Sequence, residues 1–253
     1  IHDDHPVPNG HKATPTSILA HSSNIGTVQI GLRLGEERHK RFIETVGLAD
    51  RAPVELASSE KPLLPEDWSP ITRATVSFGH GISVSPVAFA AAFSSFANNG
   101  TYIRPTILLD RDPLADVREP RRVMSTLTSK VVVQMMREAV TSGTGRKADI
   151  PGYRVAGKTG TAEKVINGVY DHSKNMTSFA AVFPADDPKY TVLIVLDEPV
   201  SPTGRAQSAA FNSAPAVGRV IERIAPILDV MPHFEDIDTY GPNVRTISDR
   251  RAL

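Results

Sequence analysis

The sequence predicts an α+β fold in which helices flank an antiparallel sheet. Apolar residues recur at helical spacing through most of residues 16–140. Residues 153–196 instead contain three strand-like runs separated by turn signals, which is typical of a strand meander. A last apolar stripe at helical spacing follows at 214–228. Helices, then antiparallel strands, then a closing helix is an α+β order.

The first helical stretch starts at Thr16 and is interrupted at Ser22-Ser23-Asn24. Ser and Asn are unfavourable inside helices because their side chains compete for backbone hydrogen bonds. The run therefore predicts a junction between two helices with polar side chains exposed there. A simple helix cap at Ser22 or Ser23 is the alternative explanation.

The other elements follow from apolar spacing and turn residues. A proline-rich loop at 49–70 is predicted to be held to the body by Trp68, and Ser85-Pro86 is predicted to begin a buried helix. Helices are predicted at 36–48, 87–97, 128–140 and 214–228, and strands at 102–109, 153–165, 177–183 and 190–196. We expect one domain over residues 1–228 and a polar tail over 229–253.

The composition excludes several classes of function. Lys+Arg and Asp+Glu both number 28, so the net charge is zero and nothing favours nucleic acid as a partner. The absence of cysteine excludes disulfides, thiolate catalysis and cysteine metal sites. The histidines and aspartates of residues 1–12 match no metal-ligand spacing. We therefore predict no cofactor and no metal.

The most unusual stretch is residues 154–163, RVAGKTGTAE, which places a lysine and two glycines in a strand-like run. Three interpretations compete. Residues 152–159 match the phosphate-loop pattern literally, but no buried strand precedes them and no helix follows. A structural strand whose lysine side chain reaches solvent is the second interpretation. The third is an acyl-transfer site, since Lys158-Thr159-Gly160 is the last element of the set S-x-x-K, S-x-N, K-[ST]-G.

Several ordered motifs favour the acyl-transfer interpretation. Ser22-Ser23-Asn24 supplies S-x-N upstream of Lys158, and the flanking sequence resembles the transpeptidase domain of class B penicillin-binding proteins, closest to the division-specific type. The resemblance covers residues 14–228 and rests on these stretches: SSN at 22–24, GHGISVSP at 79–86, FANNG at 96–100, GTG at 143–145, VAGKTGTA at 155–162, SFA at 178–180 and DEP at 197–199.

The resemblance implies a peptidoglycan D,D-transpeptidase of septal cell-wall synthesis, with a penicillin-binding transpeptidase or β-lactamase-like fold. Its expected partners are a peptidoglycan stem peptide, β-lactam antibiotics and membrane proteins of the division machinery. Its expected location is the periplasmic face of the cell membrane, anchored by a segment outside this chain. An elongation-type enzyme and a non-catalytic β-lactam sensor domain are the alternatives.

The resemblance also assigns roles to individual residues. Ser22 would relay a proton to the leaving amine, and Asn24 would hydrogen-bond the substrate amide. Lys158 would supply positive potential for the substrate carboxylate, which Thr159 and Thr161 would bind through their hydroxyls. Gly160 would be small so that the substrate can lie along the strand, and the backbone at Thr161 would give one oxyanion-hole donor.

One element of the set is missing where it is expected. The family's nucleophile is the serine of S-x-x-K, which precedes S-x-N, yet the sole match in these 253 residues is Ser58 to Lys61, after S-x-N and in the proline-rich loop. We expect this chain to be the C-terminal part of the domain and inactive alone. His80, between two glycines, is expected to be structural, and substrate contacts of Arg205 are in doubt because its loop lacks the family's aromatic–glycine signature.

Overall fold

The computed structural model describes residues 1–4, 7, 12–56, 59–109, 120–200 and 208–234. These residues contain seven α-helices and two antiparallel sheets. The helices are α1 (Pro15–His21), α2 (Asn24–Leu34), α3 (Glu36–Thr45), α4 (Pro70–Ser77), α5 (Pro86–Ala97), α6 (Thr126–Thr141) and α7 (Ser213–Ile224). The strands are β1 (Thr101–Tyr102), β2 (Arg121–Arg122), β3 (Ala156–Ile166), β4 (Val169–Phe183) and β5 (Tyr190–Asp197).

The main sheet is an antiparallel meander in the order β3-β4-β5. Asn167 and Gly168 form the turn between β3 and β4 with φ of 52° and 82°, as a two-residue hairpin turn requires. The predicted turn is therefore confirmed. The hairpin is longer than predicted, because β4 begins at Val169 and not at Thr177.

The two faces of this sheet bury two separate apolar clusters. Successive side chains of a strand point to opposite faces, so Phe179 and Phe183 of β4 pack on one side with α7. Ala180 and Val182 lie on the other side against residues of α5 and α6. The sheet is thus covered by helices on both faces, as an α+β fold with a flanked antiparallel sheet predicts.

The junction between α1 and α2 has the broken geometry that the Ser-Ser-Asn run predicts. Ser22 ends α1 in a left-handed conformation, with φ of 58° and ψ of 46°. Ser23 begins α2 as its N-cap, and its hydroxyl accepts from the Gly26 amide. Both the junction and the cap are present, and the cap belongs to Ser23.

A third cluster holds the proline-rich segment. Trp68 is 6% exposed and packs with Ile43 and Val76, which confirms its predicted anchoring role. The His39 ring meets the Trp68 ring edge-on at 5.4 Å. Helix α4, which follows directly at Pro70, was not predicted from the sequence.

Two strand predictions need correction. The strand expected at 102–109 is only Thr101–Tyr102, paired with Arg121–Arg122; Pro105 cannot donate to a strand ladder, and the Ile107 amide donates to the Glu55 carboxylate instead. The strand expected from Tyr153 begins at Ala156, because Arg154 has a left-handed φ of 43°.

Some predictions fall outside the described residues. These are Ser58 of the S-x-x-K match, Arg205 with the start of its loop, residues 110–119 of the charged loop predicted at 110–122, and residues 235–253 of the predicted tail. Of the residues after α7, Val230 is buried in the α7 cluster, and the His233 amide donates to the Gly152 carbonyl. None of the helices in the described ranges has both the length and the apolar character that crossing a bilayer requires.

Candidate active site

Lys158 is the third residue of β3 and lies directly opposite Ala180 of β4. Its ammonium donates to three oxygens: Ser22 Oγ at 2.8 Å, the Thr159 carbonyl at 3.0 Å and Thr159 Oγ1 at 3.2 Å. Part of the side chain is solvent-accessible, but burial of the amine lowers the pKa of Lys158 to about 8. The group is therefore mainly cationic at neutral pH and can change protonation state slightly above it.

Ser22 reaches Lys158 because of the left-handed conformation that ends α1. The two residues are 136 positions apart in the chain, and their contact joins the helical half of the molecule to the sheet. Ser22 Oγ accepts the lysine hydrogen and is exposed, which leaves its hydroxyl hydrogen for another acceptor. A hydroxyl that accepts from an ammonium and can donate its own hydrogen to another group is suited to passing a proton between the two.

Thr159 is held by a second contact from the segment after α6. Its hydroxyl lies 2.8 Å from the Thr144 hydroxyl. The Thr144 amide in turn donates to the Ala20 carbonyl at 3.1 Å, two residues before Ser22. Gly143 allows this close approach, since a Cβ there would lie 2.1 Å from the Ala20 oxygen.

Thr161 and Gly160 lie further along β3. The Thr161 hydroxyl accepts from the Ala209 amide at 3.1 Å, so its own hydrogen is left for another acceptor. A Cβ at Gly160 would lie 2.6 Å from Ser178 Oγ of β4. The absence of a side chain at Gly160 is thus explained by its neighbour in the sheet, a cause that sequence reasoning missed.

Asn24 lies beside the start of the chain. Its side-chain amide donates to the His2 carbonyl at 3.0 Å. Asp3 accepts from the Ser23 hydroxyl at 2.9 Å and from the Ile25 amide at 3.0 Å. These contacts fix the orientation of the S-x-N segment, and the Asn24 side-chain oxygen still offers an acceptor.

The strand that carries Lys158 is held at its N-terminal end by Arg137. Arg137 of α6 donates to the Val155 carbonyl at 2.8 Å and forms a two-pronged contact with the Asp149 carboxylate at 2.6 and 3.3 Å. Val155 and Ala156 are fully buried. These contacts fix the position of the start of β3 relative to α6.

His80 lies between two glycines in a turn, and its ring packs against two aromatic side chains, as is typical of a structural histidine. Its ring meets Phe78 at 5.0 Å and Tyr170 of the β3–β4 hairpin at 5.3 Å. Gly79 and Gly81 beside it have positive φ. The histidine therefore supports the hairpin tip.

The phosphate-loop interpretation is wrong. Lys158 and Thr159 are paired with β4 in the interior of a strand, and that strand continues to Ile166. A phosphate loop needs a helix directly after its lysine. The structure instead brings Ser22, Lys158 and Thr159 into one hydrogen-bonded group.

This group lies at the edge of an antiparallel sheet covered by helices, which is the arrangement that serine acyl-transfer domains of the penicillin-binding class use. A sequence profile described as the penicillin binding protein transpeptidase domain matches residues 2–220. The chain belongs to this family, and the resemblance stated from its motifs is confirmed.

Its relatives are consistent with this assignment. It is 44% identical over 228 residues to the "Probable peptidoglycan D,D-transpeptidase FtsI" of Caulobacter vibrioides, covering 84% of this chain and 38% of that protein. It is 34% identical over 239 residues to "Stage V sporulation protein D" of Bacillus subtilis, covering 89% of this chain and 36% of that protein. The chain thus spans less than two-fifths of the length of these two relatives.

Solved structures confirm the predicted fold class. Penicillin-binding protein 3 of Mycobacterium tuberculosis, complexed with aztreonam, superposes with a TM-score of 0.80 at 28% identity, covering 92% of this chain and 55% of that one. The transpeptidase domain of penicillin-binding protein 3 from Burkholderia pseudomallei gives a TM-score of 0.77 at 31% identity, covering 86% and 65%.

Sequence reasoning missed two residues that shape the site. Thr144 was noted only as part of a GTG motif, although a threonine between two glycines after a helix already indicates a tight approach to another backbone. Arg137 was not singled out. Its partner Asp149 is 12 residues downstream, and no spacing rule in the sequence connects the two.

Proposed function

We propose that this chain carries the substrate-binding wall of a peptidoglycan D,D-transpeptidase that acts in septal synthesis through a serine acyl-enzyme and is acylated by β-lactams. The hydrogen bond from the Lys158 ammonium to Ser22 Oγ at 2.8 Å carries the proposal. It brings the S-x-N and K-T-G elements into contact, which supports acyl transfer at this site. Relatives named as D,D-transpeptidases support the reaction class.

The carboxylate of the substrate is expected to lie on β3. All three Lys158 hydrogens are engaged within the protein, so the lysine acts on the carboxylate through its positive potential. The hydroxyls of Thr159 and Thr161 donate to it. Gly160 leaves the strand open for the substrate backbone, and Asn24 accepts from the substrate amide through its side-chain oxygen.

Acyl transfer then needs one serine and a proton path. The serine oxygen bonds to the substrate carbonyl carbon, the C–N bond breaks, and the departing amine takes up a proton. Ser22, which already accepts from Lys158, is placed to deliver its own hydrogen to that amine and to be reprotonated from the nucleophile's side. The backbone amide of Thr161 is the proposed oxyanion donor.

We propose that the nucleophile is a serine that these 253 residues do not include, and that the protein acts at the periplasmic face of the membrane with division proteins as partners. We also propose that residues 1–228 belong to the transpeptidase domain and residues 229–253 to a polar C-terminal tail, the first residues of which pack against the domain through Val230. The only S-x-x-K match, Ser58 to Lys61, follows S-x-N in the chain, whereas a nucleophile helix precedes it in this family.

The test is mass spectrometry of the complete protein after incubation with penicillin, with the modified serine mapped. One adduct is expected, on a serine outside this chain, and Lys158→Met should slow acylation about 100-fold. Lys164→Met is the matched control, because Lys164 lies on the same strand but pairs with Asp197 and Glu198. An adduct on any serine of this chain, or unchanged acylation of Lys158→Met, would contradict the proposal.

A further inference from the structure

Thr144 closes a ring of hydrogen bonds between α1 and β3. Its amide donates to the Ala20 carbonyl at 3.1 Å, and its hydroxyl lies 2.8 Å from Thr159 Oγ1. Thr159 Oγ1 also accepts from Lys158, which in turn donates to Ser22 Oγ. The last member, Ser22, is two residues from Ala20, so the ring returns to the helix end where it started.

The number of hydroxyl hydrogens in this ring determines which residue donates in the hydrogen bond between Thr144 and Thr159. A threonine hydroxyl has one hydrogen and two acceptor positions. One acceptor position of Thr159 Oγ1 receives the Lys158 hydrogen. If Thr159 gives its only hydrogen to a bound carboxylate, it cannot also donate to Thr144, and the contact between the two hydroxyls must be a donation from Thr144. Both acceptor positions of Thr159 are then occupied, and its hydrogen points to the ligand.

We propose that Thr144 is a positioning residue that sets the hydroxyl of Thr159 as a donor to the carboxylate of the substrate or of a β-lactam. This inference rests on the function proposed above. Without Thr144, the Thr159 hydroxyl can rotate and lose its hydrogen to a solvent acceptor. The loss should weaken recognition of the anion and leave other parts of acylation intact.

The surrounding backbone gives Thr144 little freedom. The Gly145 amide donates to the Ala139 carbonyl at 2.9 Å, and Gly143 lies against the Ala20 carbonyl. The residue is thus held on both sides, so its side chain has a defined position relative to Thr159. A donor that is already in place when the ligand arrives needs no reorganisation.

The experiment compares acylation of the complete protein by a penicillin and by its methyl ester, which retains the β-lactam but lacks the charge. Thr144→Val, which keeps the shape and removes the hydroxyl, should lower the rate constant for the acid about tenfold, the effect of weakening one hydrogen bond to a charged acceptor. Its rate with the ester should stay within about twofold of wild type, since the ester presents no anion. Thr144→Ser keeps the hydroxyl and should restore the preference for the acid.

Thr141→Val is the matched control, because Thr141 ends α6 three residues before Thr144 and its hydroxyl hydrogen-bonds only to Glu138 among the described residues. If Thr144→Val proves unstable, Thr144→Ala replaces it in the same comparison. Equal losses with acid and ester would overturn the inference, since they indicate a merely structural role, and so would an unchanged acid rate. A wild-type protein that penicillin does not acylate would overturn the proposed function and the inference with it.

Discussion

Replacing Gly143 by alanine should disrupt the contact between α1 and the segment that follows α6. A Cβ at this position would lie 2.1 Å from the Ala20 carbonyl oxygen and 2.8 Å from its carbon, whereas real Cβ contacts stay above 3.0 Å. The two backbones would therefore have to separate by about 1 Å. Neither partner is a flexible side chain, so the strain cannot be relieved by a rotamer change.

The free-energy cost follows from two contributions. The hydrogen bond from the Thr144 amide to Ala20, now 3.1 Å, would lengthen to about 4 Å and be lost, at a cost of about 1 kcal/mol. Overpacking of a close contact adds about 1–3 kcal/mol. A total of about 2–4 kcal/mol corresponds to a fall in the melting temperature of about 4–16 °C for a domain of this size.

Thermal unfolding of the complete protein, followed by circular dichroism or differential scanning fluorimetry, measures this change. Gly145→Ala is the matched control, since its Cβ would meet its neighbours at 3.1–3.2 Å and should cost less than about 1 kcal/mol. Neither glycine has a left-handed φ, so the comparison reports on packing alone. A Gly143→Ala protein that melts within about 2 °C of wild type, or no lower than Gly145→Ala, would refute the reasoning.

Three further predictions concern charged groups. Since burial lowers the pKa of Lys158 to about 8, the rate of acylation by a carboxylate-bearing β-lactam, measured by stopped flow, should fall as pH rises through about 8. Lys158→Arg should remove this decline, and the same decline in the variant would refute the assignment. Burial, with a smaller effect of Arg73, lowers the pKa of His39; the folded state then binds protons less readily, so stability should be retained above about pH 6.5 and decline below it. Melting curves between pH 5 and 7.5 should show this decline, and it should be absent in His39→Leu. Arg137→Met should cost about 2 kcal/mol by breaking the Asp149 and strand contacts, and a double-mutant cycle with Asp149→Asn in urea unfolding should reveal coupling; additive effects would contradict this role of Arg137.

The strands of the main sheet were predictable because local signals agree with the tertiary structure. Asn167-Gly168 specifies its turn by backbone conformation alone. The extension of the hairpin was not predictable, since residues 171–175 of β4 are polar and their pairing depends on distant contacts. Lys164 of β3 binds Asp197 and Glu198 at the far edge of the sheet, and no spacing rule in the sequence connects these three residues.

Helix α4 was missed although its start carries a clear signal. Ser69 caps it and Pro70 occupies its first turn, the same pair that correctly predicted α5 at Ser85 and Pro86. The prolines upstream suggested a loop that extended to Pro70. A proline that follows a serine fits the first turn of a helix, where its missing amide hydrogen is not needed, so the preceding residue distinguishes the two cases.

Lys158 could be singled out as a candidate site residue for a different reason. A lysine within a strand opposes burial, because removing its charge from water is unfavourable. An apolar side chain at position 158 would fit the buried start of this strand without that penalty. The hydrogen bonds to Ser22 and Thr159 offset part of it, yet the lowered pKa of Lys158 shows that the cation remains disfavoured. A residue that makes the fold less stable than an apolar side chain would is expected at positions where the chemistry of the site requires that residue. Thr144 gives no such signal, since a threonine in a tight turn conflicts with no folding rule, and only its position opposite Thr159 indicates a role.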